Sequence, residues 1–105
     1  FFLEPTFIKN VSTIDNLPEK YNLSQNYPNP FNPVTNIKFD IPNSSFVTLK
    51  VYDITGKESA TLVNEIKAKG SYLVDFNAAN LSSGIYFYRL ETNDFNETKR
   101  MMIVK

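Results

Sequence analysis

Chemistry in this chain would be sought first at four aspartates, Asp40, Asp53, Asp75 and Asp94. Two carboxyls facing one cleft can divide acid and base duties in glycoside cleavage. Here each stands alone in sequence. Asp53 and Asp75 also fall where an Asp closes a turn or strand end by bonding nearby backbone. A calcium loop needs several oxygen ligands at close spacing, and no D-x-D-x-D-G run occurs. The chain has no His and no Cys. That removes a Ser-His-Asp triad, an imidazole-held metal, a thiolate zinc site, a cysteine nucleophile and a disulfide scaffold. Three scattered glycines cannot build a phosphate-cradling loop. The expectation is a non-enzymatic protein with no catalytic, cofactor or metal site.

The frame that must carry any function is small. The chain has 105 residues, enough for one domain with one modest core. Its 11 basic and 11 acidic side chains cancel, so the strongly basic signature of a nucleic-acid binder is missing. No apolar run is long enough for a membrane-spanning helix. The start, Phe1-Phe2-Leu3-Glu4-Pro5, lacks an initiator Met and a basic n-region. The chain is therefore expected to be the C-terminal piece of a longer or processed protein. Thirteen Asn residues include five in N-x-[ST] sequons, at Asn10, Asn22, Asn43, Asn80 and Asn96. With 16 Ser and Thr present, chance accounts for that number as well as glycosylation does.

Residues 1–20 read as a linker, with one short extended segment around Phe7–Val11. In 21–33, three prolines within six residues forbid a helix. Tyr27 and Phe31 are large rings in this polar loop; they either plug one edge of the core or form a recognition epitope. From Val34 the apolar period is two. Thr35, Ile37, Phe39 and Ile41 mark one strand, and Val47, Leu49 and Val51 mark the next. Asp53-Ile54-Thr55-Gly56 reads as a tight turn. Ser59–Val63 is expected as a third strand and Asn64–Gly70 as a charged turn. A helix over Glu58–Lys69 is the alternative, from the partial helical spacing of Ala60, Leu62, Val63, Ile66 and Lys67. Tyr72, Val74 and Phe76 mark a fourth strand, and Leu81 a buried anchor in the next loop. In Ile85–Thr92, Tyr86, Tyr88 and Leu90 share a face; both faces are apolar at its start, as in a strand covered on both sides. After a turn at Asn93-Asp94, Thr98–Val104 is the last strand. With a short strand in Tyr21–Ser24, about seven antiparallel strands form two packed sheets.

These motifs carry a resemblance. Leu23-Ser24-Gln25-Asn26-Tyr27-Pro28-Asn29-Pro30-Phe31-Asn32-Pro33 resembles the opening of the type IX secretion system C-terminal sorting domain, type A. The likeness continues through Thr35-x-Ile37-x-Phe39, Val51-Tyr52-Asp53-x-x-Gly56 and Gly70. It closes with Leu81-Ser82-Ser83-Gly84-Ile85-Tyr86-Phe87-Tyr88-Arg89-Leu90 and Thr98-Lys99-Arg100-Met101-x-Ile103-x-Lys105. Residues 19–105 are covered. One departure is Phe76, near which many members carry Trp; only a packing change is expected.

The resemblance implies an immunoglobulin-like antiparallel β-sandwich over 21–105 that labels an N-terminal cargo for export. It implies passage through the periplasm, recognition by an outer-membrane translocon and a barrel-shaped shuttle, and secretion or attachment at the cell surface. In many members a sortase-like peptidase removes the domain; here the cut is expected before Tyr21, in exposed chain. The motif residues offered for recognition are Asn29, Pro30, Phe31, Asn32, Pro33, Asp53, Gly56, Gly70, Ser83, Gly84, Tyr86, Lys99, Met101 and Lys105. The three glycines are expected to serve turn geometry and Tyr86 and Tyr88 the core. Thr98–Lys105 is read as a free terminal strand open to docking by strand addition, or simply as the last strand of a sheet. Two rivals are a carbohydrate-binding sandwich, which needs an exposed row of Tyr or Phe, and a structural assembly module.

Overall fold

The computed structural model describes residues 17–105. The linker reading of 1–20 falls mostly outside them, and the Phe7–Val11 segment and the Asn10 sequon wholly so. Among the described residues seven strands follow in order: β1 (Asn22–Leu23), β2 (Val34–Ile41), β3 (Ser45–Tyr52), β4 (Glu58–Lys67), β5 (Gly70–Asn77), β6 (Gly84–Glu91) and β7 (Asn96–Ile103). They form two antiparallel sheets, ordered β1-β2-β5 and β4-β3-β6-β7. This is the three-plus-four arrangement of an immunoglobulin-like sandwich.

Alternation decides which faces meet. Successive strand side chains point to opposite sides. Ile37, Phe39 and Ile41 of β2 therefore face Val47, Leu49 and Val51 of β3 and Tyr88 and Leu90 of β6 across one core, all at 0% exposure. Fully burying each such side chain contributes about 1.5–3 kcal/mol. Phe76, where Trp was the alternative, is buried and sits 6.2 Å from the Phe31 ring at a tilted angle.

The third strand differs from expectation. It does not stop at Val63; β4 runs on to Lys67, so the charged turn at 64–70 shrinks to Ala68-Lys69. Nor is the region a helix. The register slips opposite Leu49/Lys50 and Val51/Tyr52, so that Leu62 and Ser59 are extra residues on β4. These are β-bulges, which break the period of two and leave the unpaired residue partly turned aside. Ala60, Leu62, Val63 and Ile66 mimic helical spacing for that reason. Beyond the bulges, Asn64–Lys67 pair with Ser45–Thr48; this main-chain pairing carries the strand although its side chains are mostly polar.

Smaller differences follow the same rule. The last strand starts two residues early and ends at Ile103, because Asn96 and Glu97 pair with Glu91 and Leu90. Leu81 is half-buried against the core. β6 is central in its sheet, but the outer side of Ile85 and Phe87 is half-open, with no second layer on it among the described residues.

Candidate recognition surface

The proline-rich segment is a stitch between the two sheets. Tyr27 exchanges two main-chain hydrogen bonds with Asn36 of β2: its N–H donates to Asn36 O at 3.0 Å, and Asn36 N–H donates back at 2.9 Å. Four residues later Phe31 lies parallel to the end of β7. Phe31 N–H donates to Met102 O, and Val104 N–H donates to Phe31 O, both at 3.0 Å. The side chains add to this. Asn29 Oδ1 accepts from Met102 N–H at 3.0 Å, and Gln25 Nε2 donates to Arg100 O at 2.7 Å. The prolines at 28, 30 and 33, all following cis bonds, have no N–H to satisfy.

This corrects the picture of a free terminal strand. β7 is an edge strand of its sheet, but from Arg100 onward its outer main-chain groups are already engaged by residues 25–31. The two rings of the loop also part company. Phe31 is 3% exposed and plugs the core, whereas Tyr27 is 80% exposed. The difference arises because Phe31 is drawn against β7 while Tyr27 pairs only by its backbone.

Beneath the loop lies a buried polar knot. The Tyr88 hydroxyl donates to Ser24 O at 2.6 Å and accepts from Asn26 N–H at 2.8 Å. The Asn26 amide donates to Pro28 O at 3.1 Å and to Thr35 Oγ1 at 3.0 Å, and its oxygen accepts from Gln25 Nε2 at 2.7 Å. Thr35 Oγ1 donates in turn to Pro28 O at 2.8 Å. Buried polar groups are costly unless paired, and here the pairing fixes the loop's path. Burial pushes the Tyr88 hydroxyl up to about 12. Sequence reasoning placed Tyr88 in the core and missed its partners. The available signal was a Tyr on an apolar face where Phe would pack equally well, since a buried hydroxyl requires a partner.

The motif residues gather unevenly. Asn29, Pro30, Asn32 and Pro33 are exposed on the loop, with Phe31 rooted below them. Met101 is 1% exposed and belongs to the core beside this joint. Lys105 N–H donates to Ser83 Oγ at 3.0 Å, and Lys105 Nζ donates to Ala79 O at 2.6 Å. Tyr86 is buried, and its hydroxyl donates to Ser82 O four residues upstream at 3.0 Å. That is the tyrosine-corner arrangement of immunoglobulin-like sandwiches. Lys99 is half-buried and 3.4 Å from Glu97.

Asp53 and Gly56 lie in the β3–β4 turn and serve its geometry. Asp53 Oδ1 accepts from Thr55 N–H at 2.8 Å, Thr55 Oγ1 at 2.5 Å and Lys57 N–H at 3.1 Å. The Thr55 hydroxyl, then the Lys57 amide, hold this carboxyl below its ordinary range. Gly56 closes the turn at φ +88°, a conformation that an L side chain adopts only with strain. Gly70 and Gly84 open their strands, also at positive φ. The sequons at Asn22, Asn43, Asn80 and Asn96 are all exposed. Among the described residues no three acidic side chains gather in a metal-holding group.

The described residues thus define an immunoglobulin-like sandwich whose 25–33 loop and last strand are knitted together at one edge. The family model for the secretion system C-terminal sorting domain matches residues 25–105. The chain belongs to that family, the type IX sorting domains, and carries a C-terminal sorting signal. No curated protein matches it. Membership places the protein on the route through the outer membrane, secreted or attached at the cell surface, with the secretion system as its partner and a cargo on its N-terminal side.

Proposed function

We propose that residues 21–105 act as a non-enzymatic address label, read at the joint between the 25–33 loop and the end of β7. The supporting observation is the direct contact of two motif segments 73 residues apart, Asn29 Oδ1 on Met102 N–H. A receptor touching this joint senses folding as well as sequence, because the surface exists only once both sheets have formed. The label carries its cargo from the periplasm to the outer-membrane translocon and a barrel-shaped shuttle. Where a sortase-like peptidase acts, it cuts in the stretch before Tyr21.

The experiment is export of an unrelated reporter fused to residues 19–105 in a type IX host. Deleting Thr98–Lys105 is expected to leave the reporter in the periplasm. That deletion also removes Met101 and Ile103 from the core, so Asn29→Ala and Lys105→Glu are tested beside it. Their side chains are exposed, and circular dichroism checks that they fold. Surface export at the normal level by the deletion, or by both folded point variants, defeats the proposal.

A further inference from the structure

We propose that the outer face of the β4-β3-β6-β7 sheet carries a binding site for one neutral hexopyranose ring, in the pocket between the Asp53–Gly56 turn and β6. The cavity measures about 300 Å³ and is lined by Tyr52, Asp53, Ile54, Phe87, Arg89 and Thr98, with Gly56 at its rim. That is at the small end of ligand pockets, where one ring-sized unit fits.

Two observations single it out. The first is apolar surface outside the core. Tyr52 and Phe87 stand directly opposite each other across β3 and β6. Both point away from the core, because their neighbours Val51 and Tyr88 point into it. Ile54, at the tip of the adjoining turn, is 72% exposed, at a kind of position that polar residues or glycine usually fill. The second is unspent hydrogen-bonding capacity. Arg89 lines the cavity with a side chain that is 40% exposed. The turn uses Asp53 Oδ1 three times, and Oδ2 lies outside that network.

The charge balance selects the ligand class. One carboxylate, Asp53, and one guanidinium, Arg89, line the wall, and Glu91, 3.7 Å from Arg89, stands outside the lining, so the lining itself carries no net charge. A pyranose offers an apolar C–H face to Tyr52 and Phe87. Its hydroxyl edge can both donate to a carboxylate and accept from a guanidinium. This site is independent of the export reading, and binding is measured without secretion.

The test uses the 105-residue chain, labelled with nitrogen-15. It is titrated separately with methyl β-glucopyranoside, methyl β-galactopyranoside and methyl α-mannopyranoside. With at least one of them, the amides of Tyr52–Gly56, Phe87–Arg89 and Thr98 are expected to shift and saturate, with a Kd of about 1–10 mM. Tyr52→Ser and Ile54→Ser should each weaken binding roughly 3–10-fold. The Ile54 side chain is mostly in solvent, so that variant keeps the fold. No saturable shift with any of the three sugars by about 50 mM overturns the site. So do saturable shifts that map elsewhere, or binding unchanged in both variants.

Discussion

Replacing Tyr88 with Phe removes one oxygen from the centre of the molecule and leaves the ring in place. That oxygen serves two main-chain groups, Ser24 O and Asn26 N–H. Tyr88 itself is 0% exposed. Each backbone group left unpaired away from water costs about 1–3 kcal/mol. Ser24 is half-buried and recovers part of its loss from solvent, so the sum is about 2–4 kcal/mol. A domain of this size holds only about 5–15 kcal/mol in total. The melting temperature should fall by roughly 10–20 °C.

The same oxygen predicts a pH dependence. Tyr88 ionises near 10.0 when unfolded and near 12 in the fold. Its neutral form is therefore favoured by folding. The stability this provides is fully present below pH 10 and is lost as pH rises from 10 towards 12. The loss across that interval is roughly 2–3 kcal/mol. Urea unfolding of the wild type and Tyr88→Phe, measured from about pH 8 to about pH 12, isolates this component, because the other tyrosines and the lysines titrate in both proteins. The gap between them should be about 2–4 kcal/mol at the low end and nearly close at the high end. A gap below about 0.5 kcal/mol at pH 8, or one that stays constant to pH 12, refutes the polar knot as the loop's anchor.

Other perturbations test neighbouring parts. Asn29→Ala should speed hydrogen exchange of the Met102 amide about fivefold, the loss of roughly one hydrogen bond, while the Val104 amide, held by Phe31 O, stays protected. Phe31→Ala empties a site that is 3% exposed and should cost about 3–5 kcal/mol in denaturant unfolding. It should also expose both amides. Tyr86→Phe gives up the corner bond to Ser82 O and should cost about 0.5–1.5 kcal/mol by the same measurement. Gly56→Ala meets no atom within 4 Å, so its cost is backbone strain alone, about 1–2 kcal/mol. A crystal structure of that variant should show the turn otherwise unmoved.

Much of the fold was legible because it is local. The period-two runs at 35–41, 47–51 and 86–90 state which side chains face inward, and alternation needs no knowledge of the partner strand. Asp53 and Gly56 spell out their turn because its hydrogen bonds lie within five residues. The three prolines excluded a helix from the loop by removing donors. β4 was harder to read, since its bulges are set by what β3 needs opposite them, and its outer half is held by backbone bonds that side-chain pattern does not report.

The proposed recognition surface was legible only as a set of motif residues. Nothing in the chain's local order says that Asn29 caps Met102, that Gln25 reaches Arg100 O, or that Tyr88 ties the loop down from beneath. Those contacts span more than 60 residues. They exist because two sheets, once stacked, bring a loop that has no backbone–backbone hydrogen bond within its own segment against an edge strand with unpaired main-chain groups. Sequence alone determined the all-β class, the inward faces of β2, β3 and β6 and the absence of His and Cys chemistry. The tertiary structure decided that the terminal strand is guarded rather than free, because buried and edge main-chain groups take whichever donor or acceptor packing places within reach.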